Sequence, residues 1–230
     1  MTERFVFGFV VSVDALWDLV GSGLDAQDLL ADVDREFVDM FEDEFESTLS
    51  LVSCAQEVLS GDLDENHAYP YARVVEPLLT VVAEPLGMIH MADTYYLPND
   101  SFGRWNPVLA TLGLGRLAAT WATANCAFPW PRGRTPTRDW PCVTEISPPT
   151  LAEIAAETTG EWRLRLTTVA DSLLADGAHP GRANETRMEL EAGLEQVAAW
   201  VERGRTQWTS PRRCVAAGGN SLVLVMDGGQ

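Results

Sequence analysis

Residues 5–13 read FVFGFVVSV and residues 221–226 read SLVLVM. The first run is apolar at nearly every position and rich in β-favouring side chains. A strand with one wet face alternates polar and apolar residues, so a run without alternation is buried on both faces. FVFGFVVSV is therefore predicted as a strand in the middle of a sheet. SLVLVM is its expected neighbour. The turn Gly218-Gly219-Asn220 ahead of it predicts a hairpin with residues 213–217.

Between these ends the pattern is helical. Asp14 is the expected N-cap of a short helix that Gly21-Ser22-Gly23 stops. Residues 25–46 predict one amphipathic helix, with Leu30, Val33, Phe37, Phe41 and Phe45 on one stripe and acids on the other faces. Further helices are expected over 49–59, 70–86 (with a kink at Pro77), 107–123, 150–158, from Trp162 through Leu173, and over 185–204. A short strand is expected over 87–91. Residues 127–150 hold a run of prolines with Trp130 and Trp140 between them and predict an extended loop. The sum is an α+β fold in a single domain, 1–230, with a small mixed sheet packed by amphipathic helices.

The chain has 230 residues, 34 acids, 16 Arg and no Lys, for a formal net charge of −18. With 46% apolar residues it belongs to the folded class, not the disordered acidic class. The negative field argues against nucleic acid and anionic membrane as partners. No apolar run approaches the roughly 18 residues that span a bilayer, and no secretory leader is evident, so a cytoplasmic location is expected. The four cysteines form no CxxC pair and are expected as unreactive free thiols.

The charge is uneven. Residues 1–65 carry 17 acids against Arg4 and Arg35, whereas residues 66–230 carry 17 acids against 14 Arg. The segment 101–138 contains five Arg and no acid. A charge run is most often a solvated face, but an acidic helical face also suits a basic partner through electrostatic steering. Asp28, Asp32, Glu36, Asp39 and Asp43 are the partner-facing acids on that reading.

The order of segments also carries a resemblance. VSVDALWDLVGSG follows the first strand, AYPYARVVEPL opens a Tyr-rich helix, and PWPRGRTPTRDWPCVTEISPPTLAEIAAE joins a proline-aromatic loop to a capped helix. A last amphipathic helix precedes the terminal strand. This order resembles the YfbM-like group of uncharacterised bacterial proteins and its actinobacterial relatives. The resemblance implies an α+β fold and supplies no activity and no catalytic residue. Residues 206–219 depart from it as an insertion.

No metalloprotease, nucleophile-elbow, P-loop or zinc-deaminase signature occurs. Asp62, Asp64 and Asn66 imitate the start of a calcium loop, but His67 and Arg73 stand where its glycine and bidentate glutamate belong. His67, His90 and His179 lie too far apart for a zinc pattern, so no metal is expected. His90 and Asp93 are the one near pair and the weak catalytic candidates. No cofactor is implied.

Two readings stand. The first is a non-enzymatic interaction protein, of inhibitor or immunity type, that docks a basic partner on its acidic helices. The second is a small-molecule-binding protein or enzyme of specialised metabolism, with a pocket under the aromatic-proline loop. Its lining would come from Tyr95, Trp105, Trp130, Arg132, Arg134 and Trp140, and a small anionic ligand would suit those arginines. The absence of a catalytic signature weighs toward the first.

Overall fold

The computed structural model describes residues 4–45, 48–91, 105–121, 126, 128–130, 142–159, 161–175, 177, 179–206 and 220–228. β1 (Arg4–Val11) and β4 (Ser221–Gly228) lie side by side at the centre of a four-stranded sheet of order β2-β1-β4-β3. The outer strands are β2 (Glu84–Met91) and β3 (Cys142–Ile146). All three pairings are antiparallel, which narrows the expected mixed sheet.

The unalternated runs are explained by two covered faces. On β4, Leu222 and Leu224 enter one core while Val223 and Val225 enter the other, as the two-residue strand period requires. The first core lies under α6 (Trp105–Thr111), α7 (Gly115–Trp121), α8 (Pro148–Thr158), α9 (Trp162–Ala175) and α10 (Pro180–Arg205). The second lies under α1 (Val13–Trp17), α2 (Ala26–Leu29), α3 (Arg35–Glu44), α4 (Leu51–Ser60) and α5 (Ala68–Val82). The result is a helix–sheet–helix sandwich.

Gly8 sets the distance between the sheet and α10. A Cβ built there would sit 2.7 Å from Trp200 Cε3, so only glycine lets the indole lie against β1. Beside it, Gly8 pairs with Gly87 and Phe9 with Pro85, which leaves Leu86 as the extra residue of a β-bulge. The Trp200 indole N–H donates to the Leu86 carbonyl at 3.1 Å. The bulge and the buried indole therefore fix each other.

Several boundaries differ from the sequence reading, each for a local reason. The helix expected over 25–46 is two helices, α2 and α3. Asp25 accepts the Asp28 N–H and Asp34 accepts the Glu36 N–H, so each starts a new helix. The residue before α1 is Ser12, and Asp14 lies inside its first turn. The helix expected over 107–123 is α6 and α7, separated by Gly113 at φ +84°. Residues 142–146, expected within the proline loop, form the edge strand β3. Ser147, not Thr150, is the N-cap of α8, with proline in the first turn. Strand β2 begins at Glu84, where helix was expected, and α10 begins at Pro180, capped by His179. Pro77 sits buried inside α5, where packing outweighs the missing backbone bond. Gly61, at φ +81°, ends α4 as expected. Residues 213–217 lie outside the described residues. Among the described residues no helix is long and apolar enough to cross a membrane.

Candidate functional site

Helices α2 and α3, with the turn between them, form the acidic surface. Asp28, Asp32, Glu36, Asp39 and Asp43 are all exposed. Asp39 pairs with Arg35 at 3.8 Å, and both side chains are largely in water. Among the described residues, Asp28, Asp32, Glu36 and Asp43 have no ion pair. Alpha-3 is held from beneath. Phe41 is buried, and Phe45 meets the Tyr69 ring at 5.6 Å. The Glu44 carboxylate accepts from the Tyr69 hydroxyl and from Arg73 Nε at 3.0 Å. The α2 end is tied to α4 by Gln56, whose Oε1 accepts the Ala26 N–H at 2.9 Å and whose amide donates to the Leu24 carbonyl at 3.2 Å. The acids are thus carried on a positioned surface rather than on a loose tail.

A second polar cluster lies in the same layer. Glu57 on α4 accepts the Tyr71 hydroxyl at 2.5 Å and meets His67 Nδ1 at 2.8 Å. Tyr71 is fully buried, and its hydroxyl oxygen accepts the Asp64 N–H at 2.8 Å. Burial and the adjacent carboxylate of Glu57 hold the Tyr71 phenol well above the ordinary tyrosine range. Beside them, burial chiefly, with help from the Glu57 charge, pushes the Cys54 thiol up to about 11. Cys54 is therefore a protonated thiol at neutral pH and a poor nucleophile. Asp64 is held below the usual carboxylate range, first by the Asn66 backbone N–H it accepts. That bond caps the 3-10 turn Glu65–His67, so Asp64 is engaged in local structure rather than in the calcium-like pattern.

The cluster connects to one predicted binding residue. The Trp130 ring lies tilted against Tyr71 at 5.7 Å between centroids. Phe128 and Trp17 pack likewise at 5.4 Å. His90 falls in β2, opposite Phe5 of β1, so its segment is strand and not helix. The side chains of His90 and Trp105, and all of Asp93, Tyr95, Arg132, Arg134 and Trp140, lie outside the described residues. Among the described residues no three His, Cys, Asp or Glu side chains group closely enough to hold a metal ion.

Sequence reading missed Glu57 and Tyr71 and placed His67 only in a failed calcium loop. One signal was present: His67 and Tyr71 stand four residues apart at the start of a helical pattern, a spacing that puts two side chains on one face. Nothing in the spacing pointed to Glu57, ten residues earlier on another helix. No protein-family model, curated protein or solved structure matches the chain.

Proposed function

We propose that this is an interaction protein that docks a basic partner on the acidic face formed by α2, α3 and the turn between them. An inhibitor or immunity-type role suits such a face, because complementary charge speeds encounter and selects the partner. The reading rests on one observation: Asp28, Asp32, Glu36 and Asp43 are exposed and without an ion pair among the described residues. Self-repulsion on such a face is a cost that a basic partner removes on binding. The resemblance to the YfbM-like group rests on sequence segments alone and adds no activity to this proposal.

The test compares two baits in extract of the native host: the wild-type chain, and a chain in which Asp28, Asp32, Glu36, Asp39 and Asp43 are converted to their amides. The expected result is a basic protein retained by the wild type at low salt, released by added salt, and not retained by the amide variant. Screening shortens the reach of exposed charges to about 10 Å at 0.1 M salt, so release should occur at moderate ionic strength. Equal retention by both baits, or no basic protein at low salt, sinks the proposal.

A further inference from the structure

The described histidine rings are held in opposite ways. His179 accepts the Gly181 N–H at Nδ1, at 3.2 Å, so the neutral ring carries its proton on Nε2. His67 faces a carboxylate instead. An ionised Glu57 only accepts hydrogen bonds, so at 2.8 Å the His67 Nδ1 must carry the proton. The lone pair of the neutral ring is then on Nε2, which has no hydrogen-bond partner among the described residues. The ring is partly open, with its side chain 23% exposed.

Glu57 is itself held in place. The buried Tyr71 hydroxyl donates to it, the Asp64 N–H fixes that hydroxyl, and Trp130 covers the Tyr71 ring. This is the arrangement in which a carboxylate orients an imidazole, selects its tautomer and stabilises the positive charge that the ring acquires. The cluster shares no residue with the acidic face of α2 and α3.

We propose that His67 is a nucleophilic imidazole and that the Glu57–His67 pair transfers the acyl group of an activated ester to water. Nε2 of His67 attacks the carbonyl carbon and forms the N–C bond. The C–O bond to the leaving group breaks, and its electron pair departs with the alkoxide or phenolate. The acylated ring is positively charged, and its Nδ1–H still donates to the Glu57 carboxylate. Water then adds to the acyl carbon and the N–C bond breaks. The water gives up one proton to solvent as it adds, the carboxylic acid leaves with the other, and the neutral Nδ1–H imidazole is restored. Tyr71 acts through Glu57 and is a positioning residue.

The test uses the full chain with para-nitrophenyl acetate and follows release of the phenolate. The wild type should exceed His67→Gln and Glu57→Gln by about tenfold each, a small part of what an oriented carboxylate contributes in a complete triad. His179→Gln should keep the wild-type rate. A wild-type rate in either His67→Gln or Glu57→Gln overturns the proposal. Nitrogen NMR of the unaltered protein gives a check that does not depend on variants folding. It should place the neutral His67 proton on Nδ1, and a proton on Nε2 overturns the proposal as well.

Discussion

The layer built from α6–α10 and the layer built from α1–α5 cover opposite faces of one sheet, and they treat charge in opposite ways. Residues 105–121 and 148–205 carry 10 acids and 7 Arg. There the arginines are mostly engaged: Arg116 with Glu153, Arg163 with Glu195, Arg187 with Glu191, Arg205 with Glu202, and Arg203 with Glu84 on the sheet. Glu157 closes the start of α7 by accepting the N–H groups of Arg116 and Leu117. Residues 12–82 carry 17 acids and only Arg35 and Arg73. Both layers bury an apolar core, so core formation does not demand the charge difference. The two layers differ at the surface, where one pairs its charges and the other leaves Asp28, Asp32, Glu36 and Asp43 without an ion pair among the described residues.

The largest effect should come from the balanced layer, where the sheet and α10 meet most tightly. Trp200→Ala removes a fully buried indole and should cost about 3–5 kcal/mol in urea denaturation. Gly8→Ala forces a Cβ into that ring and should cost about 1–3 kcal/mol. The two should not add. With the indole gone, the alanine methyl has room, and the double variant should be less destabilised than the sum by about 1 kcal/mol or more. Additive costs would mean that the sheet and α10 are not in the contact described.

The next effect belongs to the acidic layer and to alkaline pH. Cys54 is fully buried, and its thiol is raised from 9.0 to about 11. The unfolded chain loses this proton first. From pH 9 to about 11 the native state therefore binds more protons than the unfolded state, and stability falls as pH rises. Complete loss over that window is about 1–3 kcal/mol. Tyr71 is raised too and adds loss of the same sign at the upper end. Denaturation series for wild type and Cys54→Ala should show a shallower alkaline decline in the variant. Identical slopes would remove the thiol from the account.

How much of this was legible depended on whether the physics was local. FVFGFVVSV declared a doubly covered strand, because the lack of alternation is a property of the segment itself. The break between α2 and α3 was written in Asp34, but a residue that caps a helix also fits the polar face of a longer one. The amphipathic stripe won that contest in the sequence, and the side-chain cap won it in the fold. Gly8 looked like any strand glycine until Trp200, 192 positions later, came to rest on it. The Glu57–His67–Tyr71 cluster was hidden for the same reason. Its members come from α4, a 3-10 turn and α5, and only tertiary packing brings the carboxylate to the ring.

The smallest effect sharpens the comparison most, because the two layers should answer with opposite signs. In α3, Asp39 and Asp43 are like charges four residues apart, and Asp43 lies in the last turn, where the helix dipole disfavours an anion. Asp43→Asn should therefore stabilise the protein by about 0.2–0.5 kcal/mol at low salt. In α10, Glu191 pairs with Arg187 at 2.9 Å on adjacent turns, so Glu191→Gln should destabilise by about 0.2–0.5 kcal/mol. Added salt should shrink both shifts toward zero. Shifts of the same sign in thermal melts would dissolve the distinction between the layers. If Asp43→Asn raises stability as expected and also lowers retention of a basic partner, the carboxylate costs the fold something that only binding explains.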